Sequence, residues 1–214
     1  SIDDLYFDIK NSVYPDGYIP MWGVKSFRFT GSGVQDLGTI DLLRAMAKVE
    51  VTLSNQMVAN GYSLDNVVLN HHNTQGYCLP SLWSSVNKTS ELDQDNCINP
   101  RHSHVTEPLV LAEVEDGVKY WVYIPEYNVL HTATNRPTLS VTIGNGAEEL
   151  EFPAAIKFGN YDSQGDFIDN SDVNIVRNHI YSFNITAISS GIELEYNVLD
   201  WEDEKIYSRV ENLI

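Results

Sequence analysis

Short stretches in which apolar and polar residues alternate constrain the fold of this chain more than any other feature. Residues 138–143, 181–186 and 193–198 alternate strictly, and residues 120–124 are aromatic and β-branched. Turn-forming residues lie between these stretches, at 144–146, 169–172 and 189–191. A period of two with one polar face is typical of antiparallel sheets with one side in water. The sequence therefore predicts an all-β fold built from β-sandwiches.

One stretch fits two interpretations. Residues 41–49 place Leu42, Met46 and Val49 at helical spacing, whereas residues 49–53 alternate like a strand. The pattern alone predicts a short helix that continues into a strand.

The charge of the chain excludes several classes of partner. Lys and Arg number 13 against 30 Asp and Glu, which gives a formal net charge of −17. A surface this acidic repels nucleic-acid phosphates and anionic lipids, so no nucleic-acid partner is expected. Hydrophobic residues make up 43% of the chain, which is enough for a folded core.

Polar residues divide the chain into two predicted modules. Residues 128–137 resemble a linker, so we expect one domain over residues 1–130 and another over residues 131–214. A long polar segment, residues 70–108, interrupts the first module, and residues 81–86 within it could form a helical turn. Loops of this length in compact domains are often functional.

Four histidines in this segment are the best metal candidates. His71 and His72 are adjacent, and His102 and His104 would share one face of a strand. No carboxylate stands at a recognised spacing from them, so the prediction is that no metal is bound.

Acidic residues offer a weaker case for calcium. Asp93, Asp95 and the acidic run at residues 162–172 supply oxygen atoms, but neither group matches the twelve-residue calcium loop. We interpret them as solvated turn residues.

The two cysteines allow one disulfide bond. Cys78 and Cys97 lie 19 residues apart in the long segment. A bridge would stabilise the fold by about 3 kcal/mol in the chain-entropy model. The bridge and two free thiols both remain open, but neither cysteine belongs to a C-x-x-C motif, so redox catalysis is not expected.

Catalytic signatures are missing from the sequence. It contains no G-x-S-x-G motif, no phosphate-binding loop and no dinucleotide fingerprint. We therefore predict that the protein is not an enzyme, with no catalytic residue and no cofactor. A metal-dependent secreted enzyme remains a remote alternative.

Several segments together resemble the Bacteroidales fimbrillins, the type V pilins of the major-fimbrillin type. The matches run in the order found in that family, at residues 19–23 (IPMWG), 43–51 (LRAMAKVEV), 123–126 (YIPE), 136–139 (RPTL), 152–156 (FPAAI), 175–186 (IVRNHIYSFNIT) and 193–201 (ELEYNVLDW). The resemblance implies two transthyretin-like β-sandwich domains. It also implies that residues 44–53 are a strand.

The resemblance further implies a structural subunit of cell-surface fimbriae that supports adhesion and is made as an outer-membrane lipoprotein precursor. Such subunits assemble by strand addition, in which a strand of one subunit completes the sheet of another. Only 18 residues precede Ile19, so we expect an incomplete N-terminal domain in which the strand at 44–53 lacks a neighbour. The tail at 202–214 is a candidate donor strand, because Ile206, Val210 and Ile214 fall on one side of an extended chain.

A second interpretation is a tip subunit or adhesin. In that case residues 70–108 would bind a host glycan or protein, with Tyr77, Trp83 and the histidines supplying contacts.

Overall fold

The structure is a computed structural model that describes residues 5–9, 19–24, 28, 31, 36, 38–40, 42–80, 97, 99–100, 103–129, 134–146, 148–162, 165–188 and 192–201. Its strands are β1 (Tyr6–Asp8), β2 (Met21–Trp22), β3 (Leu43–Arg44), β4 (Ala47–Leu53), β5 (Tyr62–Asn70), β6 (His72–Asn73), β7 (Gln75–Tyr77), β8 (His104–Val105), β9 (Leu109–Val110), β10 (Ala112–Glu115), β11 (Lys119–Ile124), β12 (Thr138–Asn145), β13 (Glu148–Lys157), β14 (Gly159–Tyr161), β15 (Phe167–Asp172), β16 (His179–Ile188) and β17 (Ile192–Asp200). One short helix, α1 (Asn55–Ala59), lies among the described residues. The all-β prediction is confirmed.

Two larger sheets form a sandwich. One has five strands in the order β10-β11-β4-β16-β17, and the other has four in the order β13-β12-β5-β9. A single buried cluster contains apolar side chains from both sheets, among them Val49, Val67, Leu139 and Phe183. Burying these side chains between the sheets is the main source of stability, at about 1.5–3 kcal/mol for each large apolar side chain.

Strand β4 lies at the centre of the five-stranded sheet. It pairs antiparallel with β11 on one side and parallel with β16 on the other. The expectation that the strand at 44–53 lacks a neighbour is therefore wrong. Ala47, Val49 and Val51 have no exposed surface, as befits a strand that is covered on both edges and on its inner face.

Strand pairing also contradicts the predicted boundary at residue 130. β12 pairs with β5 from Thr138↔Asn70 to Asn145↔Tyr62, and β16 pairs with β4 from Ile180↔Lys48 to Ile185↔Leu53. Each sheet thus contains strands from both predicted modules, and the described strands form one sandwich rather than two.

The polar composition of residues 128–137 explains why a linker was predicted there. Asn128 is buried, and its side chain donates a hydrogen bond to Cys97 O. Tyr127 bridges to Ile175, and its hydroxyl donates to Asn135 O. Hydrogen bonds offset the cost of burying these polar groups, so the described start of this connection, residues 127–129, packs on the sandwich.

The ambiguous stretch before β4 is extended, as the resemblance implied. β3 and β4 flank a bend at residues 45–46, and no helix forms there. The helix appears instead at α1, where Ser54 accepts a hydrogen bond from Met57 N–H as the N-cap. The helical turn predicted at 81–86 lies outside the described residues. None of the described helices has the length and hydropathy to span a membrane.

Two aromatic side chains, Tyr181 in β16 and Trp201 directly after β17, are completely buried. Tyr181 belongs to the cluster between the sheets, whereas Trp201 stacks on Tyr123 with ring centroids 5.0 Å apart. The Arg44 guanidinium carbon lies 4.6 Å from the centroid of the Trp201 ring, and Arg44 Nη1 donates to Trp201 O. This cluster fixes the end of β17 against β3 and β11.

We predict that Trp201→Ala lowers the free energy of unfolding by about 3–5 kcal/mol, because truncation of a buried Trp leaves a cavity. Thermal or urea denaturation measures the change. The control is Tyr6→Ala, since Tyr6 is 54% exposed and its loss should change stability little. Equal midpoints for wild type and Trp201→Ala would contradict the packing described for this ring.

Candidate functional site

A buried ion pair holds one end of the long polar segment. Arg177 has no exposed surface, and its Nη2 lies 2.8 Å from Glu126 Oε2. The same guanidinium donates to the carbonyl oxygens of Tyr77, Cys78 and Leu79. A buried cation needs such partners to offset its desolvation, so the chain at 77–79 is fixed to the sandwich.

Buried amides hold the other end of the segment. Asn73 Nδ2 donates to Asn99 Oδ1 and to Glu126 O, while Asn128 N–H donates to the same Asn99 oxygen. Ser103 Oγ donates to Asn73 Oδ1 and is itself buried. Residues on both sides of 81–96 are therefore hydrogen-bonded to the same part of the sandwich. Trp83, which belongs to the adhesin interpretation, lies outside the described residues, and Tyr77 is half-buried at this base.

Both cysteines lie at this base as free thiols in the structure. Cys97 is buried and its Sγ donates to Ile175 O at 3.3 Å, while Cys78 O accepts from Arg177. Burial raises the pKa of both thiols, and the nearby Arg177 charge opposes that rise. Both cysteines thus lie near Arg177, and a disulfide bond between them stays a prediction.

Three of the four predicted metal candidates are described. His71 and His104 stack at 5.6 Å, with His104 Nε2 3.4 Å from His71 Nδ1. His72 is buried, and its Nδ1 has no hydrogen-bond partner. His102 lies outside the described residues. Within the described ranges, no group of three His, Cys, Asp or Glu side chains is arranged to hold a metal ion.

In the acidic run at 162–172, Asp162 and Asp166 lie between β14 and β15, whereas Asp169 and Asp172 belong to strand β15. Asp162 Oδ1 accepts from Asp166 N–H, and Asp172 pairs with Arg136. Asp93 and Asp95 lie outside the described residues.

Sequence reasoning did not identify Arg177 and Glu126 as partners. Both belong to segments that carried the family resemblance, but the residues between them give no local signal that the two side chains meet. Only the packing of Glu126, at the end of β11, against the turn before β16 brings them together.

Strand β17 forms an open edge of the five-stranded sheet. Among the described strands it pairs with β16 alone. Trp201 N–H donates to Asn178 O on the β16 side. Because successive amides of a strand point to opposite edges, the amides of Tyr196, Val198 and Asp200 point away from β16.

This edge is apolar near its end. Val198 is 41% exposed and Leu199 is 49% exposed, although both lie in the part of β17 that pairs with β16 without a register shift. Exposed edges with apolar side chains are prone to pair with another strand. The edges at β9 and β10 are only two and four residues long, and β13 is interrupted by a register shift opposite Leu139 and Val141. Among the described edges, the stretch of β17 from Leu194 to Asp200 is therefore the longest that pairs with its inner neighbour without a register shift.

A cleft of about 800 Å³ runs along β17, between this strand and the β14–β15 hairpin. Tyr161 and Tyr196 meet edge to face at 6.2 Å on its wall. Asp162, Glu193 and Glu195 also line it.

Comparison with known proteins identifies the class to which this chain belongs, that of the fimbrial proteins. Residues 1–207 match the family described as fimbrillin-A associated anchor proteins Mfa1 and Mfa2, and the chain belongs to this family. The resemblance to fimbrillins is confirmed. A search of curated proteins gives no match.

Solved structures of fimbrial and adhesion proteins are similar to this chain at low identity. The C-terminally truncated tip fimbrial protein Mfa3 from Porphyromonas gingivalis is 18% identical, with 75% of this chain and 52% of that chain covered and a TM-score of 0.46. A protein assigned to cell adhesion from Bacteroides uniformis is 14% identical, with 76% and 52% covered and a TM-score of 0.44. The chain spans about half the length of these two proteins.

We predict that acidification destabilises the protein partly through His72. Burial first, and then the nearby His104 and His71, lower the pKa of His72 to about 4. Between about pH 6.5 and pH 4 the unfolded chain therefore binds a proton that the folded protein does not, and stability falls as pH falls, by about 1–3 kcal/mol. Urea denaturation across this range should show a shallower pH dependence for His72→Gln. Equal slopes for the two proteins would contradict this assignment.

We also predict that Cys78 and Cys97 are bridged in protein taken from the cell surface. Both residues lie near the charged Arg177 side chain, and oxidising compartments favour disulfide bonds. Mass spectrometry of unreduced peptides should find a Cys78–Cys97 crosslink. Two alkylatable thiols in native, never-reduced protein would rule the bridge out.

Proposed function

We propose that this chain is a structural subunit of a cell-surface fimbria that joins other subunits by strand addition and thereby supports adhesion. Family membership supports the fimbrial part of this proposal. The edge of β17 supports the assembly part, because it combines amides that have no partner in the described part of the chain with exposed Val198 and Leu199.

Strand addition at β17 needs no chemical step. An extended segment of another subunit would hydrogen-bond to the outward amides of Tyr196, Val198 and Asp200, and its side chains would cover Val198. Each hydrogen bond contributes only about 0.5–1.5 kcal/mol, so affinity accumulates along the strand. We therefore propose no catalytic residue and no cofactor.

The tail at 202–214 remains the candidate donor to a neighbouring subunit. Its apolar residues Ile206, Val210 and Ile214 recur every four positions, which places them on one side of an extended strand. These residues lie outside the described part of the chain. We place the assembled subunit at the outer membrane, from a lipoprotein precursor, as the fimbrillin resemblance implies.

A tip or adhesin role is the second candidate. The hydrogen-bonded base formed by Arg177, Glu126, Asn73 and Asn99 favours it, because binding loops work best when a rigid scaffold presents them. In this role residues 70–108 would contact a host glycan or protein.

We predict that Val198→Pro and deletion of residues 204–214 each abolish incorporation into fimbriae. Proline removes an amide that points away from β16, so the β16–β17 ladder stays intact while the acceptor edge loses a donor. Immunoblots of fimbriae sheared from cells that express each variant measure incorporation, and circular dichroism of the purified variants checks folding. Val198→Thr keeps the amide and is the matched control.

Each outcome has its own meaning. Normal incorporation of Val198→Pro would exclude β17 as the acceptor edge, and normal incorporation of the deletion would exclude the tail as donor. Normal incorporation of both variants would overturn strand addition through these elements.

A further inference from the structure

We infer that the pairing of β6 with β8 is an acid-sensitive clasp, which opens when its histidines become protonated while the sandwich stays folded. The pairing is short, because it joins only His72 to Val105 and Asn73 to His104. The imidazoles of His71, His72 and His104 lie together at this clasp. Their hydrogen bonding and burial suit the neutral form of the cluster.

The imidazoles of His71 and His104 share a single proton. His104 Nε2 lies 3.4 Å from His71 Nδ1, so one of these nitrogens donates and the other accepts. When both imidazoles are protonated, both nitrogens carry hydrogen atoms and the contact becomes a repulsion between like charges. Burial and then the neighbouring His71 lower the pKa of His104, in keeping with this arrangement. Acid therefore removes a contact that joins the two sides of the clasp.

The third histidine, His72, is buried beside this pair. It is 7% exposed, and its Nδ1 has no hydrogen-bond partner. An imidazolium carries hydrogen atoms on both nitrogens, so a protonated His72 would place a charge away from water with a donor that has no acceptor. Protonation of His72 therefore requires that its surroundings open to water.

The backbone at His71 favours opening as well. Its φ of 61° is a left-handed conformation that residues other than Gly adopt rarely. His71 lies between the last residue of β5 and the first residue of β6, so this conformation turns the chain into the clasp. Such a conformation persists only while surrounding contacts hold it. The contact with His104 is one of these, and its loss removes a constraint on β6.

The groups around the clasp do not stabilise added positive charge. Within the described ranges, none of the three imidazoles forms an ion pair with a carboxylate. The Tyr127 ring meets His104 edge to face at 6.0 Å, and the Tyr127 hydroxyl already donates elsewhere. Glu126, at the end of β11, directs its carboxylate to the buried cation of Arg177. Protons gained in acid therefore face other histidines and neutral groups.

Amide hydrogen exchange of the full chain, measured by NMR, tests the inference. Thr74 N–H donates to Ser103 O across the clasp, whereas Val51 lies in the central strand β4. We expect Thr74 to exchange through a local opening that low concentrations of urea hardly change, while exchange at Val51 depends steeply on urea. After correction for intrinsic exchange rates, opening at Thr74 should increase about 20-fold from pH 7 to pH 5.

Protonation of His72 alone accounts for that factor. Its pKa is about 4 in the closed clasp and about 6.5 when it is exposed. The open form therefore binds a proton that the closed form excludes, and the stability of the clasp is lost as pH falls from about 6.5 towards 4.

Two sets of variants assign the response to the histidines. His72→Gln combined with His71→Asn should abolish most of the pH dependence at Thr74, because neither new side chain titrates and Asn tolerates the left-handed conformation. His179→Gln is the matched control. His179 is the first residue of β16 and its Nε2 faces Asp200, so this replacement should leave the pH dependence at Thr74 unchanged. Circular dichroism at pH 7 checks that each variant folds.

Measurements on the wild type decide the inference even where a variant fails to fold. Equal protection and equal urea dependence at Thr74 and Val51 at pH 5 would overturn the clasp, because both amides would then exchange only by global unfolding. Opening at Thr74 that does not change between pH 7 and pH 5 would overturn it too. A 20-fold change that persists in the double variant, or that is lost in His179→Gln, would overturn the role of these histidines.

Discussion

The Arg177 guanidinium is completely buried, and Glu126 supplies the carboxylate that pairs with it. A cation in this position is tolerated only when its partners are in place, so it couples the end of β11 to the turn before β16. The next residue extends the connection, since Asn178 N–H donates to Met46 O and Asn178 O accepts from Trp201. One short turn thus joins the start of the central strand, the end of the edge strand and the base of the long polar segment.

The sequence predicted local structure better than it predicted topology. Alternation identified β11, β12, β16 and β17, because a half-buried strand imposes a period of two on its own residues. It could not show that β16 would pair in parallel with β4, since no local pattern records a partner far along the chain. The prediction of a linker at residues 128–137 was wrong for a related reason. Asn128 is polar, yet its hydrogen bonds allow it to be buried.

The candidate site was predictable in part. Alternation placed Leu194, Tyr196 and Val198 on one side of a strand, but only the sheet order shows that this strand is an edge. Residues 70–108 were singled out as a functional segment, whereas the ion pair that fixes its base was not. Such pairs depend on tertiary contacts between residues that look ordinary in sequence.

The parallel pairing of β4 with β16 also governs when the fold can form. Lys48 and its neighbour Ile180 are 132 residues apart in sequence. During synthesis or export, the central strand therefore waits for most of the chain to emerge before its second edge is covered. Contacts of such long range slow folding, because the entropy of closing a large loop is lost before the contacts stabilise the product. The interval during which β4 has one bare edge is the period in which a chaperone or a neighbouring chain has access to it.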